Sequence, residues 1–533
     1  MKKLVVGLAV ACAFVWVGAA SAGWDDAVPL NQVASSPTQG GGYPIPAGSN
    51  APVPGTCRLG DYNSNRSESW IAVEPGTENL VGVSKFFFET FSTYYDFHLG
   101  SYTMPGGTPG QNTQIPGYDC ISTGTQDMPP SWTNNTDPTV DFDTQGRAYQ
   151  ATLPFNAYWT NLHPNGGVGV VYSDDLGQSW QLGNGGKLLD HLSNSTTLQL
   201  GDAADKQWIA VNRAPLSPYR DHVYVMWAIF NGSTVQIFFS KSVDRGQTFS
   251  RPKRITPPSE LGKGNTYIYP SVDAAGDLYA AVASFKKNGV DAELWVGKST
   301  DDGDSFTWFD TGALAKGTPG CCFPNTTFRD GILENFAASP TYPGHLYMTY
   351  EYWDGTQMDV KFTQSVNGGG LWTPPVVVND DASGTDQFQP SVAAGAGGAV
   401  AVAFYDRRQA CPGDASIRPQ DVGRTNFCID TSLQTYSDSG AGAVPVGGNT
   451  RMSTYTWDPM QPDQHVGGIG QMACAAHEDP CTSNAFIGDY FGLAISDNNI
   501  YGFFVSTHYP SGVQADEGGP VYYQQQVLAT VPR

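Results

Sequence analysis

Residues 173–180 read SDDLGQSW, and the pattern Ser-x-Asp-x-Gly-x-x-aromatic returns as SVDRGQTF at 242–249, STDDGDSF at 299–306 and, more loosely, SVNGGGLW at 365–372. The copies begin 69, 57 and 66 residues apart. A repeat with this period predicts modules that stack or radiate, because no single module can bury its own apolar face. The defining positions are Ser173, Asp175, Gly177, Trp180, Ser242, Asp244, Gly246, Phe249, Ser299, Asp301, Gly303, Phe306, Ser365, Asn367, Gly369 and Trp372.

The chemistry of this pattern is that of a tight turn. Ser and Asp side-chain oxygens accept backbone N–H bonds inside such a turn, and Gly adopts the positive φ that other residues resist. The aromatic residue then begins the next strand and packs against a neighbour. We therefore expect these positions to be structural and to carry no information about a substrate.

A second recurring unit allows the modules to be counted. It consists of a short strand, a turn and an aromatic-rich apolar strand, and no segment of the chain has sustained helical periodicity. Seven copies predict an all-β fold, a seven-bladed β-propeller; six blades plus a degenerate arm is the alternative. The copies are residues 69–83, 138–153, 208–227, 270–283, 336–350, 390–405 and 490–505.

Four turn patterns at blade spacing are Asp-boxes, and the chain resembles the secreted bacterial sialidase-like (BNR-repeat) β-propellers over nearly all of residues 60–533. Further segments of resemblance are ESWIAV from Glu68, DKQWIAV from Asp205, FYDRR from Phe404 and GDYFGLA from Gly488. The resemblance implies a carbohydrate-active enzyme, an exo-α-sialidase-type glycoside hydrolase acting on acidic glycans. Three arginines would clamp the substrate carboxylate, a Tyr polarised by a Glu would be the nucleophile, and an Asp would be the acid/base. The family's Arg-Ile-Pro motif is absent, because the chain has Arg66-Ser-Glu-Ser at that place.

The amino-terminal region predicts secretion. Residues 1–22 combine two lysines, an apolar stretch and a final Ala-Ser-Ala, which is the composition of a secretory signal. Residues 23–59 are rich in Pro, Gly and Ser and predict a linker or an arm over the first blade. Residues 60–533 would form the propeller, and no other apolar run is long enough to span a bilayer. We expect a secreted monomer, extracellular or periplasmic.

The charge of the chain limits its partners. It has 28 basic and 50 acidic residues and a formal net charge of −22, which disfavours nucleic acid and anionic membranes. The excess of acid favours solubility outside the cell; structural Ca²⁺ on surface loops is the alternative, although no EF-hand-like loop is present. The function requires no cofactor in this interpretation.

Eight cysteines follow the predicted signal, and an even number in a secreted chain favours disulfides. Adjacent cysteines have α-carbons only about 3.8 Å apart, so a bridge between them would be a strained turn. For that adjacent pair the alternative is that one or both residues pair elsewhere or stay reduced. Proximity in the chain favours Cys57–Cys120, Cys411–Cys428 and Cys474–Cys481, which leaves Cys321–Cys322.

The predicted blade order gathers titratable residues around a central funnel. Crowded carboxylates in a partly dry funnel push one another's pKa apart and leave one protonated and another ionised, as glycoside hydrolysis requires. The alternative is that these residues only cap backbone N–H groups in turns. Residues entering first strands include Glu68, Asp137, Asp205, Glu334, Asp386 and Asp489. The catalytic candidates are Glu68, Glu351 and Asp489 as acid or base and Tyr350 or Tyr405 as nucleophile.

The planar guanidinium group of an arginine can donate two parallel hydrogen bonds to a carboxylate ligand. Arg66, Arg329 and Arg408 are the candidates for the triad that the resemblance implies, and Arg407 and His508 lie at the same predicted rim. Arg408 alternates with Asp406 along its strand, so an ion pair is its structural alternative.

Two other functions remain open. The first alternative is a non-catalytic propeller that binds glycans or binds a partner on a surface. The second is a polysaccharide lyase in which Tyr405 and His508 abstract a proton beside a uronate carboxylate. Three arginines converging on one point would favour the sialidase, and a His–Tyr pair with one arginine would favour the lyase.

Overall fold

The computed structural model describes residues 23–26, 28–35, 65–87, 97–116, 134–155, 166–192, 203–231, 234–320, 322–461, 486–510 and 518–533. Within these ranges the regular structure is β-strand apart from short 3₁₀ turns at Pro105–Gly107, Asn184–Gly186, Pro258–Glu260 and Ala396–Gly398. The all-β prediction is confirmed. In the described ranges there is no helix long and apolar enough to cross a membrane. The predicted signal peptide lies outside them.

Most strands pair in antiparallel register with the next strand along the chain, which produces a series of meanders. The strand β1 (Gln32–Val33) comes first. The first unit is β2 (Arg66–Val73), β3 (Leu80–Phe87), β4 (Phe97–Met104) and β5 (Asn112–Gln114). The second is β6 (Asn134–Phe142), β7 (Ala148–Phe155), β8 (Gly166–Ser173), β9 (Gln181–Leu182) and β10 (Asp190–Leu192). The third is β11 (Ala203–Val211), β12 (Val223–Asn231), β13 (Thr234–Ser242) and β14 (Lys253–Arg254).

The remaining units repeat this order. The fourth is β15 (Gly264–Val272), β16 (Leu278–Phe285), β17 (Asp291–Ser299) and β18 (Thr307–Lys316). The fifth is β19 (Glu334–Ala338), β20 (Leu346–Trp353), β21 (Met358–Ser365) and β22 (Val376–Val377). The sixth is β23 (Gln387–Ala394), β24 (Ala399–Asp406), β25 (Asp430–Asp438) and β26 (Ala443–Arg451). The seventh is β27 (Gly492–Ile495), β28 (Asn499–Ser506) and β29 (Gln525–Pro532).

The two ends of the chain meet in the seventh unit. The strand β1 pairs with β29 in antiparallel register, Gln32 opposite Leu528, and supplies the fourth strand of that sheet. The described part of the predicted arm thus pairs with the last unit, because β29 offers it an unpaired strand edge, and it also contacts the first unit, where Asn112 donates to the carbonyl of Ala34 over 2.9 Å. The first strands of the units contact one another in the order β2, β6, β11, β15, β19, β23 and β27, and β27 contacts β2.

Apolar side chains fill the spaces between successive sheets. Tyr149 and Val170 of the second unit pack with Val225 and Trp227 of the third, and all four are fully buried. The third strands alternate buried and partly exposed positions, as in β13 and β17. Burial of each such side chain contributes about 1.5–3 kcal/mol, so sheet-to-sheet packing is the main source of stability.

The four Ser-x-Asp/Asn-x-Gly segments adopt one hydrogen-bonded turn after the third strands β8, β13, β17 and β21. The Gly N–H donates to the Ser Oγ over 2.8 Å in the first three and 3.0 Å in the fourth. The Asp or Asn Oδ1 accepts the N–H of the residue two positions after the glycine, over 2.8–2.9 Å. The glycines have φ between 76° and 94°.

A second repeated feature lies at the beginning of the first strands. The register of β2, β6, β11, β15 and β23 shifts at a β-bulge. One non-glycine residue in each bulge has a φ between 45° and 54°. A bulge bends its strand and redirects a side chain, so these five residues are candidates for a site. They are Glu68, Asp137, Lys206, Tyr267 and Gln389.

Candidate functional site

Three bulge residues meet in one ionic cluster. The ammonium of Lys206 lies 2.9 Å from a carboxylate oxygen of Asp137 and 2.7 Å from one of Asp489. Arg329 binds Asp489 with two parallel bonds of 3.0 and 2.7 Å. The hydroxyl of Thr136 bridges the carboxyl groups of the first two units, 3.3 Å from Glu68 and 2.6 Å from Asp137.

This cluster joins the first three units of the fold and the segments that precede β19 and β27. Lys85 closes its other end, 2.8 Å from Glu68. The side chain of Arg329 is 44% exposed, whereas the other members are at most 9% exposed. We call the following residues the central cluster: Glu68, Lys85, Asp137, Lys206, Arg329 and Asp489.

The two neighbouring carboxyl groups of the cluster have opposite protonation states. Burial, and then the charge of Asp137, raise the pKa of Glu68 to about 8 against the opposing charges of Lys85 and Lys206. Burial also opposes ionisation of Asp137, but the two lysines and a hydrogen bond from Glu68 lower its pKa to about 2. At neutral pH the pair therefore holds one proton, on Glu68.

Two other carboxyl groups, those of Asp489 and Asp205, lie near Lys206. Burial disfavours the charge of Asp489, yet Arg329 and Lys206 hold its pKa well below the usual range. Asp205 precedes Lys206 and is half-buried, and burial raises its pKa to about 6 despite the adjacent ammonium. Asp205 therefore ionises near neutral pH, while Glu68 is still protonated.

A tyrosine hydroxyl accompanies these charges. Tyr267 is half-buried in the bulge of β15. Burial, and then the nearby Asp489 carboxylate, raise its pKa above the usual value against Lys206 and Arg329. Tyr267 thus lies near the charged groups of the central cluster, which is the environment predicted for Tyr350 or Tyr405.

An aromatic layer lies beside the cluster. Trp208 is its centre, with ring centroids 4.6 Å from Trp70, 4.4 Å from Tyr269 and 4.9 Å from Tyr490. Tyr490 is close to the carboxylates of Asp137 and Glu68, whereas both tryptophans line a cavity of about 370 Å³ formed by the carboxyl-terminal ends of the first strands. The layer therefore lies between the central cluster and this cavity.

The predicted arginine triad does not form. Arg66 is fully buried and donates a hydrogen bond to Tyr102. Arg408 binds Asp406 over 2.8 Å, Asp380 over 3.0 Å and Asn449 over 3.1 Å, which is the structural alternative. Arg66 and Arg408 thus each have partners outside the central cluster, whereas Arg329 binds Asp489 within it.

The other predicted substrate-binding residues also have structural partners. Arg407 is fully buried and lies 2.9 Å from Asp386; burial lowers its pKa to about 10 despite that carboxylate. His508 stacks on Tyr455 with ring centroids 3.7 Å apart and does not pair with Tyr405. The lyase roles of Tyr405 and His508 stay predictions.

Both predicted nucleophiles belong to the apolar core. Tyr350 is 2% exposed and Tyr405 is fully buried, and the Tyr405 hydroxyl accepts the N–H of Val505 over 3.4 Å. Burial raises the pKa of each phenol. The strand pattern does not tell which sheet face either side chain occupies, and their assignment as nucleophiles stays a prediction.

The three predicted acid or base residues separate into two environments. Glu68 and Asp489 lie in the central cluster, and their catalytic roles stay predictions. Glu351 is buried elsewhere, where it accepts the N–H of Gln389 over 2.5 Å and shares a hydrogen bond with Asp330. Burial, and then Asp330, raise its pKa well above the usual value.

Lys85, Lys206 and Tyr267 were missed by sequence reasoning. Lys206 and Tyr267 occupy the same position in their first strands as Glu68 in its own, so aligning the strand beginnings would have found them. Lys85 lies opposite Ser67 on β3, and nothing in the sequence distinguishes it.

The predicted disulfide between Cys411 and Cys428 is confirmed, with α-carbons 5.2 Å apart. Cys322 is also disulfide-bonded, and its partner lies outside the described residues. The other predicted pairs, Cys57–Cys120 and Cys474–Cys481, lie outside them too. Among the described residues no group of three or more His, Cys, Asp or Glu side chains is arranged to hold a metal ion.

Comparisons with known proteins give only distant likenesses. No protein-family model matches the chain, and no curated protein matches it. A protein of unknown function from Dyadobacter fermentans is 15% identical with a TM-score of 0.42, over 64% of this chain and 90% of that one. A Hadza microbial sialidase is 12% identical with a TM-score of 0.40, over 84% and 75%.

A third solved structure is an ulvan lyase, a polysaccharide lyase bound to a glucuronate–sulfated rhamnose unit. It is 10% identical with a TM-score of 0.40, over 70% of this chain and 79% of that one. At such identities and TM-scores, the activity of this chain has to be inferred from its own residues.

Proposed function

We propose that the chain is a secreted β-propeller of seven blades, extending over residues 60–533, that hydrolyses glycosidic bonds. The seven meanders and the cyclic contacts of their first strands support the propeller. The turns after β8, β13, β17 and β21 would be its Asp-boxes, on the face opposite to the bulges. The central cluster would then lie where the first strands converge.

The observation that carries the proposed activity is the gathering of carboxyl groups around Lys206, whose ammonium lies 2.9 Å from Asp137 and 2.7 Å from Asp489, while Thr136 bridges Asp137 and Glu68. Burial raises the pKa of Glu68 to about 8 and that of Asp205 to about 6. Glycoside hydrolysis needs a protonated carboxyl group for the leaving oxygen and an ionised one for water or the anomeric carbon. Between these two pH values the site contains both.

The roles follow from this difference. Glu68 would donate its proton to the glycosidic oxygen, and the negative charge left on it would be stabilised by Lys85 at 2.8 Å. Asp205 would take a proton from the attacking water. Asp489, held ionised by Arg329 and Lys206, would stabilise the positive charge that develops on the sugar ring in the transition state.

A sialidase-type activity on acidic glycans is the more specific form of this proposal. Arg329 is the candidate arginine for a substrate carboxylate, because it binds Asp489 of the central cluster and its side chain is 44% exposed. With one arginine at the cluster instead of three, such a clamp would depend on the ammonium groups of Lys206 and Lys85 as well.

The test is hydrolysis of fluorogenic glycosides, both sialosides and neutral sugars, by the wild type and by Glu68→Gln and Asp205→Asn. Each variant should lower kcat by at least about 100-fold, the usual contribution of one acid or base. Arg408→Lys is the matched control, because Arg408 lies outside the central cluster. Unchanged turnover in Glu68→Gln would overturn the proposed mechanism.

A non-catalytic glycan-binding propeller is the second candidate. It is favoured by one observation: Lys85, Lys206 and Arg329 are each bonded to a carboxyl group of the cluster itself. A network in which each cation is paired with a carboxyl group can stabilise the fold without taking part in catalysis. Binding of a glycan without turnover of any substrate would support this second function.

A further inference from the structure

The surface near the disulfide loop carries an ordered aromatic group that the proposed hydrolysis does not use. Tyr455 is 41% exposed, and His508 stacks in parallel against one face of its ring, at 3.7 Å and 11°. Tyr509 stands nearly perpendicular to both, 6.0 Å from Tyr455 and 5.4 Å from His508. One face of the Tyr455 ring is thus covered, while the residue as a whole remains 41% exposed.

A carboxylate borders this aromatic group. Asp414 lies 3.8 Å from Nδ1 of His508, and its side chain is 37% exposed. Ser416 fixes it, because the N–H and the hydroxyl of Ser416 donate to Asp414 over 2.8 and 2.5 Å. The same hydroxyl lies 3.0 Å from Nδ1 of His508.

Hydrogen bonds of the residues on either side of Tyr455, and of the His508 backbone, hold this aromatic group in place. The hydroxyl of Thr454 donates to the carbonyl of Pro29 over 2.6 Å, and the hydroxyl of Thr456 donates to Asp430 over 2.9 Å. His508 is anchored by its N–H, which donates to Ser506 over 3.2 Å. A preorganised aromatic surface binds with little loss of conformational entropy.

We propose that Tyr455, backed by His508 and bordered by Asp414, is a binding platform for an uncharged pyranose. The apolar C–H face of the sugar would lie on the Tyr455 ring, and Asp414 would accept hydrogen bonds from its hydroxyl groups. Burial lowers the pKa of His508 despite Asp414, so the imidazole adds no charge at neutral pH.

The charge of the surroundings selects against anionic sugars. Asp414 would repel a uronate or sulfate group, and the net charge of −22 acts in the same direction at longer range. This platform is distinct from the central cluster, since none of its residues contacts that cluster. The identity of the ligand as a sugar rests on the proposed function.

The experiment measures binding by calorimetry, with cellohexaose, chitohexaose and polygalacturonate as probes, on the wild type and on Glu68→Gln, which should not consume them. We expect one of the neutral hexasaccharides to bind and polygalacturonate not to bind. Tyr455→Ala should weaken binding at least 10-fold, Tyr455→Phe should retain it, and Asp414→Asn should weaken it several-fold.

The outcomes separate this proposal from the hydrolase. Equal affinity of Tyr455→Ala and the wild type, binding of polygalacturonate in preference, or no binding of either hexasaccharide would overturn the platform. If the platform fails in any of these ways, the proposed hydrolase still stands as long as hydrolysis is lost in Glu68→Gln and intact in Tyr455→Ala. A thermal unfolding curve for each variant shows that it is folded.

Discussion

Removal of the Lys206 ammonium tests the electrostatic organisation of the central cluster. Its Nζ bonds Asp137 and Asp489, but the two carboxylates do not depend on it equally. Asp489 keeps two bonds from Arg329, whereas Lys85, the other cation near Asp137, is bonded to Glu68. In Lys206→Met the charge of Asp137 is therefore left buried without a bonded cation.

The expected cost follows from that geometry. Breaking a buried ion pair by removing one partner destabilises a protein by about 3–5 kcal/mol, since an uncompensated charge remains. Lys206→Met should lose about that much free energy of unfolding at pH 7. Lys206→Met/Asp137→Asn should recover most of it, because replacement of both charged partners is often close to neutral.

The pH dependence has a definite sign. In the wild type the pKa of Asp137 is lowered to about 2, so its contribution is present above the unfolded pKa of about 3.9 and is lost as the pH falls towards 2. In Lys206→Met the pKa of Asp137 rises, and the cost of its burial disappears once the group is protonated. The difference between the two proteins should therefore be largest at pH 7 and shrink below pH 4.

Urea unfolding at pH 7 and at about pH 3, followed by tryptophan fluorescence, measures both effects. Asp489→Asn in place of Asp137→Asn is the matched control and should rescue less, because it leaves Asp137 charged and removes the partner of Arg329. A Lys206→Met protein as stable as the wild type at pH 7, or no rescue by Asp137→Asn, would refute the reasoning.

Three further predictions concern separate parts of the molecule. The rate kcat/KM should be bell-shaped with limbs near pH 6 and pH 8, and Asp205→Asn should remove the acidic limb; a flat profile contradicts the assignment. Asp301→Ala should lower the free energy of unfolding by about 1–3 kcal/mol, because three hydrogen bonds are lost. Asp301→Asn, which copies Asn367 of the fourth turn, should lower it less. Equal losses in the two variants, measured by chemical denaturation, would exclude this account. Arg408→Lys should lower thermal stability without changing affinity for acidic glycans, and weaker binding would restore Arg408 to the site.

The features that the sequence predicted correctly are those encoded locally. The turn at Ser173 is built from its own Ser, Asp and Gly, so eight consecutive residues contain nearly all the relevant hydrogen-bonding groups. Cys411 and Cys428 are 17 residues apart and close one loop. Strand alternation likewise requires only neighbouring residues, which is why the all-β class could be predicted.

The site depends on partners that are distant in sequence. Local alternation predicted the pairing of Arg408 with Asp406, but the guanidinium also binds Asp380 and Asn449, 28 and 41 residues away, and no local pattern shows these two partners. Tyr405 lies in a strand buried on both faces, so alternation cannot distinguish a funnel side chain from a core one. The identity of the ionic partners therefore had to come from the structure.

The repeated bulge links the scaffold to its chemistry. Left-handed backbone costs a non-glycine residue about 1–2 kcal/mol, and five first strands adopt it at a side-chain-bearing residue. If only the bend were needed, glycine would supply it without that cost. Glycine does occur beside the cluster at Gly488, where a Cβ would lie 2.6 Å from the backbone nitrogen of Glu68. Glu68, Asp137 and Lys206 instead retain strained backbone and place their charged groups in one cluster. Strain of this kind gathers at functional sites, so the bulges are an argument for function that is independent of the pKa values.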